Sequence, residues 1–336
     1  MSFRKLYREK LGFLQGALEG YYSDFKKEFR VPDGFYRITE AYVKRRGKLL
    51  RPFITLLILD SFGKDYARHR KLMGAIELME ASTISFDDLV DASPFRRGGL
   101  STHEIFGNPA ACLGFQAAYN YAYKAFEEAE MEDWRKTDLL FHLSRDIFLY
   151  FFGQNSELFW SRLKKVPSPE AYLSMSWDRV RFLSFNASFL SGAHLSGVSR
   201  GRIPDFRLAG SWLGMAYHLR GDELNIFPGS RDWGKQAADD VTSGRYTYLI
   251  LKALEGSSRA DAAFLKNAMG RKNISKKDII YLQGLIRKTG AVEKNRKMID
   301  LFYGKYEYYI GKCFDGEKTR ARFLALGRYM SYERKK

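Results

Sequence analysis

The sequence predicts an all-α chain, and three observations carry that prediction. Apolar residues recur at spacings of three and four, as in Ile76, Met79, Thr83 and Phe86, and again in Leu139, Leu143, Ile147 and Tyr150. That is the period of one buried helix face. Alternating strand patterns joined by Asn-Gly or Asp-Gly turns are missing, so essentially no sheet is expected. Helix breaks fall at VPDG (31–34), SPFRRGG (93–99), VPSPE (166–170), RGRIPD (200–205) and FPGS (227–230), which divides the chain into ten or more helices. In VPSPE, Ser168 is a natural N-cap ahead of Pro169 and Glu170,. In RGRIPD, Gly201 and Pro204 are expected to stop a helix,.

At 336 residues, 45% apolar and 15% aromatic, the chain can bury a large core. Only 8 prolines occur and no linker separates two compositions, so 1–336 reads as a single domain. Cys112 and Cys313 each stand alone, without metal-ligand spacing, which fits a reducing compartment. The opening MSFRKLYREKLGFL is charged throughout, with no signal-peptide core after it,. The longest apolar run, Phe53 to Leu59, is too short to cross a bilayer,. These features predict a soluble, cytoplasmic protein.

The net charge of +17 leaves nucleic acid, an anionic membrane surface and small polyanions as partners,. Much of the excess lies in runs such as GRKNISKKD and EKNRKM, which read as solvated faces of amphipathic helices. No zinc-finger spacing, RNP-type aromatic pattern or basic region with heptads accompanies the charge. Nucleic acid is therefore not an expected partner.

Taken along the chain, the first segment with chemistry in it is RGKLLRP, 46–52. Lys48 and Arg51 are three apart and are expected on one helix face, anchored by the apolar FITLLIL behind them,. The second is FDDLVDASPFRRGG, 86–99. Asp87 and Asp91 lie one turn apart, so both project from one side of a helix, while Asp88 sits about 100° round and reaches an outer shell. Two such carboxylates repel each other, and a divalent cation turns that cost into a site. The helix should end near Ser93-Pro94 and carry Arg96 and Arg97 toward the same anion, whose oxygens a guanidinium fork can grip in pairs. The same letters also describe a solvated acidic helix end followed by a basic loop. The third is AYHLRGDELNIF, 216–227, in which Asp222 and Glu223 interrupt an apolar helix. It is followed by Gly234-Lys235, Asp240 and Gly244-Arg245, where glycine beside a cation permits close approach to a bulky anion.

In this order the segments resemble the trans-isoprenyl diphosphate synthases, the polyprenyl synthetase family. RGKLLRP matches its GGKxxRP with Arg46 for one glycine, and DDLVDASPFRRG (87–98) matches its first aspartate-rich motif in full. STHEIFGN (101–108) continues as TxHxxFGN, GQNSE (153–157) matches GQxxD with Glu157 for aspartate, and WGKQAADDVTSGRY resembles the GK…D…GK tail with Arg245 for lysine. RYMSYERKK resembles the basic C-terminus. The resemblance implies the isoprenoid synthase fold, about a dozen helices around a deep central cavity, with the two aspartate-rich motifs facing across its mouth. It implies magnesium, up to three ions, with manganese as a substitute. It also implies isopentenyl diphosphate and an allylic diphosphate as substrates, a product that is membrane-soluble, and a homodimer or a heteromer with a homologue. By match, Asp87, Asp88, Asp91 and Asp222 hold metal, and Arg96 and Lys235 hold the allylic diphosphate. Lys48, Arg51 and Arg97 hold isopentenyl diphosphate. Glu80, Gln154, His218 and Arg245 complete the substrate contacts, and Glu157 supports the metal shell.

Four departures bear on mechanism. The second motif reads GDELN, with Gly221 for the first aspartate, Asn225 for the last and His218 for a glutamine. Glu80 stands where the family has histidine or glutamine, repulsive to a diphosphate unless protonated or paired with Arg51 or Lys48,. The lysine–threonine helix is reduced to Arg179 or Arg181, and the histidine before the first aspartates is Phe86. Ser82 and Thr83, one turn before Asp87, are small and are expected to leave the cavity floor open. Aromatics such as Phe115, Tyr119, Phe185 and Phe189 are expected mostly as core. The leading reading is a chain-elongating prenyltransferase. A terpene synthase that cyclises an allylic diphosphate, and a catalytically impaired partner subunit, are the alternatives.

Overall fold

The computed structural model describes residues 3–28, 33–45, 47–163, 165–183, 185–228, 237–271 and 273–334. Among them run sixteen α-helices and one two-stranded hairpin. In chain order these are α1 (Phe3–Glu28), α2 (Asp33–Lys44), α3 (Leu50–Ser61), α4 (Arg70–Val90), β1 (Phe95–Arg96), β2 (Gly99–Leu100), α5 (Thr102–Phe106), α6 (Asn108–Glu127) and α7 (Asp133–Arg162). There follow α8 (Pro169–Leu183), α9 (Asn186–Leu195), α10 (Ile203–Ile226), α11 (Asp239–Thr242), α12 (Tyr248–Glu255), α13 (Arg259–Ala268), α14 (Lys276–Lys288), α15 (Ala291–Cys313) and α16 (Glu317–Arg328). The all-α expectation holds, with the SPFRRGG break folded into the small antiparallel hairpin Phe95↔Leu100.

The chain divides into two compact units: Met1–Arg145, Phe185–Gly210 and Ile310–Ala325 in the first, and Asp146–Ser184, Ser211–Tyr309 and Leu326–Lys336 in the second. In the first unit α4 packs on α1 and α6, and α3 on α9. The apolar run expected to anchor the basic motif is α3, where Phe53, Ile54 and Leu56 to Leu59 are fully buried. A helix apolar on all sides belongs inside a unit, and each such side chain contributes about 1.5–3 kcal/mol on burial. The expected core role also holds for Phe115 and Phe189. In the second unit α12 packs on α8 and α14, around a core that includes Leu219, Leu249, Ile250, Leu282 and Ile286.

Side-chain caps set four of the helix starts. Ser168 Oγ accepts the amide of Ala171 at 3.1 Å, the cap expected for α8. Thr247, Ser258 and Ser275 cap α12, α13 and α14 in the same way. At RGRIPD the expected break lies between α9 and α10, but the proline takes the opposite role. Gly201 lies in a short 3₁₀ turn and Pro204 is the second residue of α10, so the proline starts a helix, where its missing N–H costs nothing. Ser82 and Thr83 are buried, and both hydroxyls bond back to the Met79 carbonyl at 2.7 Å. Ser82 lines a narrow crevice with Tyr42, Leu78, Ser85 and Phe115.

Candidate functional site

In the first unit, the end of α4 sets the chemistry. The helix closes with the Ser93 amide on the Asp88 carbonyl at 2.9 Å and the Ala92 amide on Leu89 at 3.3 Å, the Schellman pattern. Ala92, at φ 50°, supplies the left-handed residue. Asp91 therefore still stacks one turn below Asp87, its amide on the Asp87 carbonyl at 2.9 Å; both residues are half-buried, and Asp91 Oδ2 is buried. The chain then reverses through Arg97 and Gly98, at φ 50° and 75°, the two positive-φ positions that a two-residue hairpin turn requires.

Asp88 points the other way, as a neighbour 100° round must, and is fully buried. Arg96 Nε donates to both of its oxygens at 2.8 Å, a second Arg96 nitrogen contacts Oδ1, and the Tyr42 hydroxyl donates to Oδ2 at 2.5 Å. Burial, and then the Asp88 charge, push the Tyr42 hydroxyl pKa up. Asp88, expected in an outer metal shell, and Arg96, expected on a phosphate, here pair with each other. A dry carboxylate has to be paired, and Arg96 is the group that pairs it.

The basic motif is also rebuilt. Leu49 adopts φ 52° immediately before α3, so Lys48 stands outside the helix and does not share a helical face with Arg51. Lys48 is half-buried, and the Tyr7 hydroxyl donates to its carbonyl. Arg51 lies 2.7 Å from Glu80 and 5.4 Å from the Phe185 ring centroid, and is one of the two partners, Arg51 or Lys48, expected for Glu80 from sequence. Arg97 donates to the Tyr42 carbonyl at 2.8 Å and reaches Glu77 at 3.7 Å. A Cβ on Gly47 would lie 2.6 Å from both the Arg97 and the Glu77 side chains, so the second glycine of the motif is a close-approach position. Glu77 was not singled out from sequence; its only signal was a carboxylate one turn before Glu80 in an apolar run. Burial pushes the Glu77 carboxyl up to about 7, with Arg97 opposing and Glu80 adding to the rise. Burial likewise raises Glu80, against the pull of Arg51 and Arg97.

In the second unit, Gln154 donates to the Tyr150 hydroxyl at 3.2 Å, and Glu157 holds Arg179 at 2.6 Å. Of the two arginines offered for the lysine helix, Arg179 is thus buried and placed, while the Arg181 side chain lies outside the described residues. The Tyr172 hydroxyl donates to Asp222 at 2.7 Å and lies 3.0 Å from His218 Nε2. Burial, and then the Asp222 charge, raise its pKa well above that of a free tyrosine.

The rest of GDELN is structural. Glu223 accepts from Arg220 at 2.8 Å and Arg296 at 2.9 Å. Asn225 accepts the amides of Ala238 and Asp240 at 2.9 and 3.2 Å. Gly221 leaves room for Arg334, whose guanidinium would meet a Cβ there at 3.3 Å and stacks 3.7 Å over Tyr217. Arg245 lies 3.8 Å from Asp240, and Lys235 lies outside the described residues.

Among the described residues no three His, Cys, Asp or Glu side chains gather into a metal cage. The donor set at Asp87 and Asp91 suits a hard cation held by one or two carboxylates and otherwise by water and ligand oxygens. At GDELN only Asp222 has that character, because Glu223 is committed to two arginines.

A family model described as polyprenyl synthetase matches residues 32–286. The chain is 26% identical over 240 residues to the short chain isoprenyl diphosphate synthase of Methanothermobacter thermautotrophicus, covering 71% of this chain and 73% of the relative. It is 27% identical over 273 residues to the geranylgeranyl diphosphate synthase of Sulfolobus acidocaldarius, covering 80% and 79%. The crystal structure of a polyprenyl synthase from Caulobacter crescentus CB15, complexed with calcium and isoprenyl diphosphate, matches 100% of this chain and 98% of its own. Its TM-score is 0.84 at 23% identity, a likeness of fold.

Proposed function

This chain belongs to the polyprenyl synthetase family, and from that premise we propose that it is a prenyltransferase joining isopentenyl diphosphate to an allylic diphosphate. The observation that carries the reading is the contrast at the end of α4. Asp88 is fully buried and paired with Arg96, while Asp87 and Asp91 are half-buried residues on the other side of the helix. The relatives are named as diphosphate synthases, which favours condensation over cyclisation or a non-catalytic role.

Asp87 and Asp91 would hold the divalent metal, magnesium by preference and manganese as a substitute, with Asp222 as the one further candidate. When bound, the metal supplies fixed positive charge that stabilises a departing diphosphate. Arg51, Arg97 and Lys48 bind and orient the diphosphate of isopentenyl diphosphate. Arg96 and Lys235 take the allylic diphosphate, and Arg245 adds a further substrate contact. The allylic C–O bond breaks with its electron pair on diphosphate, the C3–C4 double bond of isopentenyl diphosphate attacks the cation, and a proton leaves to the released diphosphate. Glu157, through Arg179, and Tyr172, through Asp222, position side chains for these steps.

We also propose a homodimer. On α7, Phe148, Phe152 and Phe159 are 67%, 60% and 57% exposed, and Leu163 just beyond its end is 59% exposed, an apolar stripe of the kind that marks a protein contact. Among the described residues no helix is long and apolar enough to cross a membrane, and a cytoplasmic site of action accords with that. The test is incubation with magnesium, labelled isopentenyl diphosphate and a panel of allylic diphosphates. Elongated diphosphates are the expected product. Hydrocarbons or alcohols formed without isopentenyl diphosphate, or no product with any donor, would overturn the reading.

A further inference from the structure

Glu77 and Glu80 lie one turn apart on α4, 2% and 8% exposed, among the cations assigned above to isopentenyl diphosphate. Glu80 is 2.7 Å from Arg51, and Glu77 is 3.7 Å from Arg97. Among the described residues, Asp87, further along α4, and Arg96 of the hairpin also act on Glu80 through their charges. Arg96 is itself held by Asp88. Arg51 and Arg97 are thus balanced one for one by buried carboxylates. An arriving diphosphate needs guanidinium forks whose charge is not already spent, and a buried carboxylate beside it would be repelled. A buried acid in that position takes up a proton rather than remain an uncompensated anion.

We propose that Glu77 and Glu80 form a proton-coupled counter-anion for this site. The headgroup of isopentenyl diphosphate draws Arg51 and Arg97 from their carboxylates, and the carboxylate pair takes a proton from solvent as the headgroup enters. The only covalent bond formed is the O–H of a carboxylic acid. The glutamate at position 80 then makes the affinity for this substrate fall as pH rises, where an uncharged side chain would not. Burial already holds the Glu77 carboxyl near about 7, so the pair gains a proton at modest cost. The inference rests on the reading of Lys48, Arg51 and Arg97 as a diphosphate site.

The test is calorimetric titration of the full chain with isopentenyl diphosphate alone, in two buffers of different ionisation enthalpy at about pH 8. That is above a phosphate's last pKa of about 6, and cationic neighbours make the ligand release protons, the opposite sign. The wild type is expected to take up close to one proton per ligand. Glu80→Gln is expected to lose most of that uptake and to bind at least about tenfold more tightly, since each unit of pKa rise on binding is a factor of ten. Binding without uptake, at equal affinity in wild type and variant, overturns the inference while leaving the prenyltransferase reading standing. No binding and no turnover overturns both. Should Glu80→Gln fail to fold, the uptake by the wild type decides by itself.

Discussion

Replacing Asp88 with alanine is expected to cost stability, whereas the same change at Asp87 is expected to cost turnover alone. Asp88 is fully buried and accepts from Arg96 and Tyr42, and the Arg96 side chain is 21% exposed. Removing one partner of a buried ion pair costs about 3–5 kcal/mol, because the other charge is left uncompensated. Since Arg96 keeps some contact with water, the lower end applies, about 3 kcal/mol. Unfolding entropy near about 2.1 cal/mol/K per residue gives about 0.7 kcal/mol/K over 336 residues,. The melting temperature should therefore fall by about 4 °C. Asp87→Ala removes a half-buried carboxylate from the proposed metal edge. It should melt with the wild type while losing about a thousandfold in kcat, the scale of one lost electrostatic contact to developing charge. Thermal melts followed by circular dichroism, beside a labelled-substrate assay, read both quantities. An Asp88→Ala protein that melts with the wild type, or an Asp87→Ala protein with near-normal rate, would refute the division of labour between the two aspartates.

Three further outcomes are expected. The Glu77 carboxyl is raised from 4.5 to about 7 in the fold, so the native state keeps a proton that the unfolded chain loses. Stability should then fall by about 3 kcal/mol as pH rises from 4.5 to about 7, and urea titrations of Glu77→Gln should lack that slope; parallel profiles would contradict it. Ala92 holds φ 50° at the end of α4, a strain of about 1 kcal/mol that Ala92→Gly should release as a higher melting temperature, with a lower one counting against it. Phe152→Arg, on the exposed stripe of α7, should shift the sedimenting species from dimer to monomer, and an unchanged dimer would place the contact elsewhere.

The helices were legible because their signals are local. Spacings of three and four marked the buried faces, Ser168 ahead of Pro169 marked a start, and the Asp87–Asp91 interval placed two carboxylates on one side of a helix whatever its neighbours. Even the departure of Asp88 follows from a 100° step. That Glu80 would pair with Arg51 or Lys48 was legible as well, since a carboxylate in that apolar run needs a cation, and the fold chose Arg51. The sequence order of the motifs, more than any one of them, identified the family.

What required the tertiary structure is everything that depends on a partner distant in the chain or on a backbone angle without a sequence marker. Asp88 meets Tyr42 across 46 positions, Arg296 reaches Glu223 across 73, and Arg334 fills the space that Gly221 leaves. Leu49 turns through positive φ although neither glycine nor asparagine stands there, which takes Lys48 off the helix. Pro204 begins a helix where the letters read as an ending. Periodicity and capping are settled within one turn of backbone. The neutralisation of a buried charge is settled by whichever opposite charge the packing delivers, and only the folded chain decides which one arrives.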